Sequence, residues 1–249
     1  MNLKTRQQKY WDNGAELYDE VIAKEMNGFK KQAWMKLIER QIGPTPNQAV
    51  LDVGTGPGFF AILLAGMGHT VTAVDSSPEM LKNAHKNAQA AQASIKFINS
   101  DLHDLPFAEG SFDVIISRNV TWTLRDPESV YRLWAKLLKT GGRSVIFDAN
   151  WNAHLTNPEA AAKVEEGMEQ ARAMGFNVKE SAELEKEGND ISRQLPLTFK
   201  QRPQWDEQAL YGAGFKLVEL GGGFDADIYT EDEQIAYGRT PMFSICAIK

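Results

Sequence analysis

Residues 50–60 carry the feature that most constrains the fold, because an apolar run stops there at Asp52 and glycine follows at three alternate positions. This pattern predicts a buried strand that leads into a ligand-binding loop, with a helix beginning near Phe59. Glycine has no Cβ, so the loop can adopt positive φ angles and a ligand can lie directly against its backbone. Gly54, Gly56 and Gly58 therefore mark the candidate binding site.

The spacing of these glycines narrows the class of ligand. A dinucleotide-binding loop has the pattern GxGxxG, whereas this chain has GxGxG, with Phe59 at the position of the third glycine. The carboxylate of Asp52, just before the loop, would repel a pyrophosphate group and attract an ammonium group. The loop therefore favours a nucleoside that carries a positive charge over a nicotinamide dinucleotide.

Composition excludes several classes of protein. The chain has 249 residues, of which 43% are hydrophobic, and this length suits one large α/β domain. The formal net charge of -6 and the pI near 5.4 argue against a general nucleic-acid-binding protein. Cys246 is the single cysteine, which suits a reducing compartment. Residues 1–12 are polar and no apolar run is long enough to span a bilayer, so we expect a cytoplasmic protein.

The middle of the chain alternates between strand and helix signals. Apolar runs predict five strands, and the patterns Ser77-Pro78 and Asp126-Pro127 predict capped helix starts after the second and fourth of them. Such alternation is typical of a doubly wound parallel sheet with right-handed crossovers. The predicted strands are residues 49–52, 70–75, 95–98, 112–117 and 144–147.

Both flanks of this region carry other patterns. Residues 5–41 predict two or three short helices, with breaks at Asn13-Gly14 and Asn27-Gly28. Residues 151–203 interrupt the alternation and predict an insertion that covers one edge of the ligand face. This insertion contains a capped helix over 157–174 and a charged stretch around 180–187. The last strand signals lie at 215–220 and 242–248, joined by an acidic loop over 225–233.

Polar residues end the predicted strands. Ligands of open α/β sheets bind outside the carboxyl ends of the strands, so these residues are the candidates for binding. Asp75 ends the second strand 21 residues after Gly54, where a carboxylate can take both hydroxyls of a ribose. The other strands end at Asp52, at Asp101, at Arg118-Asn119 and at Asp148.

These motifs together resemble the class I S-adenosylmethionine (SAM)-dependent methyltransferases, in the small-molecule branch that includes the ubiquinone and menaquinone C-methyltransferase type. The resemblance covers residues 50–150 in order and returns at 205–220. It implies a Rossmann-like, seven-stranded sheet in one domain over 1–249, with an N-terminal helical lid over 1–43 and a substrate cap over 151–203. The matching segments are LDVGTGPG, AVDSSPEM, SDLHDLPF, FDVIISRN, LLKTGGR and GAGF.

The resemblance also implies roles for individual residues. The methionine end of SAM would lie on Asp52 and the glycine loop, the ribose on Asp75, and the adenine amino group on Asp101, with S-adenosylhomocysteine as the product. Met80 could instead be a core residue at helical spacing, and Asp101 could instead be a helix cap or a turn residue. The full set of expected cofactor-binding residues is Asp52, Gly54, Thr55, Gly56, Gly58, Asp75, Ser76, Met80, Asp101, Leu102 and Arg118.

The methyl acceptor is expected on the other side of the donor. His154 is the candidate general base, and the alternative is a solvated histidine in a loop. Asp148 would orient a base or bind an amine on the acceptor, and the alternative is a residue that caps the insertion. Arg118 would pair with the SAM carboxylate or an acidic substrate, or form a surface ion pair. The expected substrate-binding residues are Trp11, Tyr18, Asn119, Trp122 and Trp151, with core packing as the alternative for Trp11 and Tyr18.

The predicted function is methyl transfer from SAM to a small molecule, with the attacking atom (O, N, S or C) unresolved. The chain lacks the Asn/Asp-Pro-Pro-aromatic motif of enzymes that methylate nucleic-acid or glutamine amino groups. Methylation of cytosine at C5 needs a cysteine nucleophile near the site, whereas Cys246, the single cysteine, lies in the last predicted strand. The alternatives are a SAM-binding regulatory protein without turnover, an NAD-dependent dehydrogenase and an aminopropyltransferase. No metal site, nucleic acid or membrane is expected, and the protein is expected to be a monomer or a homodimer.

Overall fold

A seven-stranded sheet organises residues 1–176 and 181–249, which the computed structural model describes. The strand order is β3-β2-β1-β4-β5-β7-β6, and β1 to β5 pair in parallel. The predicted α/β fold class is confirmed, but the sheet is mixed because β7 runs antiparallel to both of its neighbours. The strands are β1 (Ala49–Val53), β2 (Thr70–Asp75), β3 (Ile95–Asn99), β4 (Phe112–Arg118), β5 (Leu138–Asp148), β6 (Leu217–Gly222) and β7 (Phe243–Ile248).

Helices cover both faces of the sheet, and the predicted caps begin three of them. Side chains of Ser77, Asp126 and Asn157 accept hydrogen bonds from backbone N–H groups of the first turn, which would otherwise lack a partner. The helices are α1 (Leu3–Asn27), α2 (Phe29–Ile42), α3 (Phe59–Gly66), α4 (Pro78–Ala90), α5 (Pro127–Leu137), α6 (Pro158–Ala173), α7 (Ala182–Ser192), α8 (Gln204–Gly212), α9 (Asp225–Ile228) and α10 (Glu231–Tyr237).

The predicted break at Asn13-Gly14 is wrong, because α1 continues through it as one helix of 25 residues. Gly14 is buried, and a Cβ there would lie 3.9 Å from Cδ2 of Leu184 in α7. Tertiary packing against α7 thus outweighs the modest helix propensity of glycine. The predicted break at Gly28 is confirmed, since it separates α1 from α2.

Two further boundaries differ from the prediction. β5 begins at Leu138 rather than at 144, and Gly141 and Gly142 lie within it beside an irregularity in its pairing with β4. A Cβ on Gly142 would lie 3.0 Å from the carbonyl oxygen of Asp113, so glycine permits this close approach. The acidic segment 225–233, predicted as a loop, contains α9 and the start of α10. Residues 177–180, at the start of the predicted charged stretch, lie outside the described residues.

Two apolar cores lie on opposite faces of the sheet. On one face, Trp34 of α2 and Phe60 of α3 pack against Phe147 of β5. On the other face, Trp134 of α5 and Leu210 of α8 belong to a separate buried cluster. Burial on both faces explains the nearly continuous apolar runs of β1 and β4. Because β1 to β5 run parallel, their carboxyl ends lie at one edge of the sheet. No described helix combines the length and apolar character that crossing a membrane requires.

Candidate functional site

The glycine loop follows β1 at the point where the strand order reverses between β1 and β4. Gly54, Gly56 and Gly58 all have φ between 53° and 94°, which confirms the predicted left-handed turns. The N–H groups of Gly54 and Thr55 both donate to the carbonyl oxygen of Val74, which ties the loop to β2. The loop is therefore a rigid surface that ends at the first turn of α3.

Asp52 lies beneath this loop and is 2% exposed. Its carboxylate accepts hydrogen bonds from the Thr55 hydroxyl, at 2.6 Å, and from the backbone N–H of Ala61 in α3. Burial, with a smaller contribution from the nearby carboxylate of Asp75, raises the pKa of Asp52 to about 7, although the hydrogen bonds and Arg118 oppose the shift. A cation bound at the loop would favour the charged form of Asp52.

Asp75 ends β2 and joins the glycine loop to the next helix. One carboxylate oxygen accepts from the N–H of Gly56 and the other from the N–H of Ser77, each at 2.9 Å. A carboxylate has about four lone-pair positions, so each oxygen can accept another hydrogen bond. Burial raises the pKa of Asp75, and these backbone hydrogen bonds oppose the shift. The side chain is therefore held in one orientation with acceptors to spare.

Asp101 is surrounded by cationic side chains. Its carboxylate accepts from Arg125 at 2.6 Å and from Lys4 of α1 at 2.9 Å. The side chain and the backbone N–H of His103 also contact it, at 2.9 and 3.1 Å. Although burial favours the neutral form, the hydrogen bonds from His103 and Lys4 hold the pKa of Asp101 well below its ordinary value. No free acceptor position is left on this carboxylate.

A cleft of about 270 Å³ opens beside Asp101. Of the expected cofactor-binding residues, Ser76, Asp101 and Leu102 line it, and Trp11 of α1 also lines it. Met80 lies nearby but is 3% exposed, with its Sδ atom 4.0 Å from the position of a Cβ on Gly56. Residues that the sequence did not single out, among them Gln7 and Arg125, complete the cleft wall.

Arg118 ends β4 on the same side of the sheet as α3. Its guanidinium carbon lies 4.7 Å from the centre of the Phe59 ring and 5.2 Å from that of Trp34, a cation–π arrangement. Nη2 donates to Glu25 of α1 at 2.8 Å, in an ion pair whose members are mostly buried. The surface ion pair considered from the sequence is thus a partly buried one, close enough to Asp52 to lower its pKa.

Aromatic residues of α1 meet the loop after β4. The Trp11 ring packs edge-on against Tyr18, with centroids 5.5 Å apart, and against Trp122, at 6.0 Å. Trp122 Nε1 donates to the carbonyl oxygen of Asn119, which has a φ of 57°. Oδ1 of Asn119 is buried and has no hydrogen-bond partner among the described residues. Four of the five expected substrate-binding residues therefore lie together.

Trp151, the fifth expected substrate-binding residue, belongs to a different aromatic cluster. Its ring lies 5.9 Å from that of Tyr237, which also contacts Tyr229 at 5.4 Å and Phe176 at 5.6 Å. Trp151 Nε1 is buried without a partner in the described part of the chain. Burial raises the pKa of the Tyr229 hydroxyl, and the charge of Asp225 adds to this shift. The sequence missed Tyr229 and Tyr237 because the acidic residues around them are typical of a solvated loop.

Asp148, one of the two expected catalytic residues, lies inside the protein rather than on a cleft surface. It is 0% exposed, and one of its oxygens accepts from the Thr121 hydroxyl, the Trp122 N–H and Arg202. Arg202 also binds Asp206 through Nε at 2.8 Å. Asp148 therefore holds the loop of Trp122 in position through these hydrogen bonds, and its catalytic role stays a prediction.

His154, the expected base, lies in a short turn after β5. Its Nδ1 is 3.0 Å from the carbonyl oxygen of Trp151, which can only accept, so Nδ1 carries a proton. Nε2 lies 3.3 Å from the side-chain oxygen Oδ1 of Asn189 in α7, which also accepts hydrogen bonds. Both ring nitrogens of His154 thus face oxygen atoms, and these two contacts orient the ring.

The comparisons with known proteins match a large part of this chain to methyltransferases. Residues 51–146 match the family model for the methyltransferase domain. An uncharacterized methyltransferase of Mycobacterium sp. (strain JLS) is 36% identical over 53% of this chain and 49% of its own length. The O-methyltransferase resE of Aspergillus sclerotiorum is 29% identical over 70% of this chain and 69% of its own length. The chain thus spans about half the length of the mycobacterial relative.

Solved structures share the fold over nearly the whole chain. A putative SAM-dependent methyltransferase of Methanococcus maripaludis superimposes with a TM-score of 0.62 and 21% identity, covering 96% of this chain and 93% of that one. Identity at this level establishes a common fold and leaves the acceptor open.

Proposed function

We propose that this chain is a class I SAM-dependent methyltransferase and that it transfers a methyl group from SAM to a small-molecule acceptor. The observation that carries the proposal is Asp75, whose two carboxylate oxygens are fixed by the N–H groups of Gly56 and Ser77 and still have acceptor capacity. A carboxylate held in this way beside a glycine loop suits the two hydroxyls of a ribose.

The residues of the site fit the three parts of the cofactor. Asp52 would attract the ammonium group of the methionine end, and Arg118 has N–H donors for its carboxylate. The glycine loop would lie against the methionine part of SAM between these two groups, and the cleft lined by Leu102 and Ser76 would take the adenine. The sulfonium group of bound SAM supplies an activated methyl group, so the protein needs no nucleophile of its own.

Positioning of the acceptor is the main task left to this chain. Holding two reactants in line provides effective molarities that can reach about 10⁵ to 10⁸ M. Asn119, with its buried and unpartnered Oδ1, and the Trp11–Trp122 contact are proposed to orient a small acceptor. Where the attacking atom carries a proton, His154 Nε2 is the proposed base, and it would exchange Asn189 for the acceptor.

Calorimetric binding of SAM tests the proposal directly. We expect the wild-type protein to bind SAM and Asp75→Ala to weaken binding about 10- to 100-fold, because the ribose loses hydrogen bonds to a charged group. Asp104→Ala is the matched control, since it removes an exposed carboxylate near the same cleft. Thermal unfolding of both variants separates lost binding from lost folding. A wild-type protein that binds neither SAM nor S-adenosylhomocysteine would refute the proposal.

Turnover distinguishes an enzyme from a regulatory protein that only binds SAM. Metabolite extract incubated with the protein and SAM carrying a labelled methyl group should yield a labelled small molecule heavier by one methylene. Label that enters macromolecules alone would contradict the small-molecule acceptor. Binding of SAM without any labelled product would favour the regulatory alternative.

Binding of S-adenosylhomocysteine should depend on pH through Asp52. Its pKa of about 7 means that the carboxylate is largely protonated at pH 6 and charged at pH 8. If the charged form binds the ligand ammonium, the Kd rises about tenfold from pH 8 to pH 6. Calorimetry across this range in Asp52→Asn is the control, because that variant should bind weakly with little change over pH. A wild-type Kd independent of pH would contradict this role.

A further inference from the structure

Helix α1 contacts both ends of the proposed cofactor site. Lys4, near its N-terminus, donates to Asp101, the residue expected to accept from the adenine amino group. Glu25, near its C-terminus, accepts from Arg118, the residue expected to donate to the methionine carboxylate. We propose that Lys4 and Glu25 act as surrogates for the cofactor, so that α1 competes with SAM for the same two groups. This inference rests on the proposed function.

The chemistry at Asp101 requires an exchange. Five donor contacts, from Arg125, His103 and Lys4, share the carboxylate, which has about four lone-pair positions. An adenine amino group can therefore bind only after a donor leaves. The Lys4 side chain is 59% exposed and that of Arg125 is 25% exposed, so Lys4 returns to water most easily. We therefore expect the Lys4 ammonium to be the donor that the adenine amino group replaces.

At Arg118 the expected exchange has the opposite charges, because a carboxylate of α1 occupies a cationic residue of the site. Packing against Trp34 and Phe59 holds the guanidinium in place. We therefore expect Glu25 to move away and Arg118 to stay when the cofactor binds. Glu25 has a second cation within reach, because Lys30 Nζ, which also binds Glu233 at 2.5 Å, lies 3.9 Å from its other oxygen. Glu25 can therefore release Arg118 to the methionine carboxylate without being left as an uncompensated charge.

The middle of α1 is attached through groups that the cofactor does not need. Ser77 Oγ donates to Asp12 at 2.6 Å, and Asn83 of α4 donates to the carbonyl oxygen of Ala15 at 3.1 Å. The side chain of Asn87 binds Asp19 at 2.7 Å. Cofactor binding is therefore expected to exchange the contacts at the two ends of α1 while the centre of the helix stays docked.

The experiment measures S-adenosylhomocysteine affinity in three variants by calorimetry. Lys4→Met should tighten binding about two- to fivefold, as expected for the loss of an exposed competing ion pair. Glu25→Gln should tighten it about fivefold or more, because that pair is less exposed. The control is Arg6→Met, which removes the α1 ion pair with Glu187 of α7 and frees neither end of the site. It should not tighten binding.

In the variant that combines Lys4→Met with Glu25→Gln, the two fold-changes in affinity should multiply. Asp101 follows β3 and Arg118 ends β4, and three strand spacings of about 4.8 Å separate them, too far for direct coupling. Unchanged or weaker binding in Lys4→Met and Glu25→Gln would overturn the inference, since α1 would then hold the ligand instead of competing with it. Equal tightening in Arg6→Met would also overturn it. A wild-type protein that binds no ligand would instead refute the proposed function.

Discussion

Replacing Arg202 by methionine is expected to lower the free energy of unfolding by about 3 to 5 kcal/mol. The Arg202 side chain is 1% exposed, and its partners Asp148 and Asp206 are 0% exposed. Methionine has similar length but no donor, so both carboxylates would remain buried without a cation. Tyr131 and Thr121, which also donate to this pair, cannot compensate two charges.

Urea denaturation with matched variants separates this charge effect from lost packing. Lys36→Met is the control, because Lys36 is exposed and we expect a change below about 0.5 kcal/mol. Adding Asp148→Asn and Asp206→Asn to Arg202→Met should recover part of the lost stability, since the stranded charges are then removed. A loss below about 1 kcal/mol in the single variant would contradict this account of the network.

Replacing Gly54 by alanine should destabilise the protein by about 2 to 6 kcal/mol and abolish cofactor binding. Gly54 has a φ of 67°, and a Cβ there would lie 2.5 Å from Cγ2 of Val120. Backbone strain costs about 1 to 3 kcal/mol at such a position, and overpacking costs a similar amount. Either the glycine loop or the segment after β4 would have to move, and both belong to the proposed site.

Gly68→Ala isolates the backbone contribution to this effect. Gly68 has a φ of 87°, but a Cβ there would meet no atom within 4 Å. Its substitution should cost only the backbone strain and leave S-adenosylhomocysteine binding intact. Val120→Ala, added to Gly54→Ala, should relieve the clash and restore part of the stability. Equal losses in Gly54→Ala and Gly68→Ala by urea denaturation would show that the clash is absent.

Local sequence patterns were sufficient for much of the architecture. Ser77 and Asp126 mark helix starts because their side chains satisfy N–H groups only three residues away. The apolar run before Asp52 and the β-branched run before Asp75 mark strands in the same local way. The predictions failed where distant packing decided, as at Gly14, where contact with α7 keeps α1 continuous.

The candidate site shows the same division between local and distant information. The glycine loop and Asp75 were predictable, because the close backbone approach and the strand end depend on neighbouring residues. The ion pairs of Asp101 with Lys4, of Arg118 with Glu25 and of Asp148 with Arg202 were not predictable. These partners come from distant parts of the chain, and no periodicity or spacing encodes which charges a fold brings together.

The sequence by itself therefore determined the alternation of strands and helices between residues 49 and 148, the turn at the glycine loop and the polar residues at the strand ends. Tertiary structure alone decided which of those polar residues still have free hydrogen-bonding capacity. Asp75 retains acceptor positions, whereas Asp101 is filled and Asp148 is enclosed. The physical reason is that burial and charge pairing depend on all elements packed around a group, whereas strand and helix signals are carried by adjacent residues.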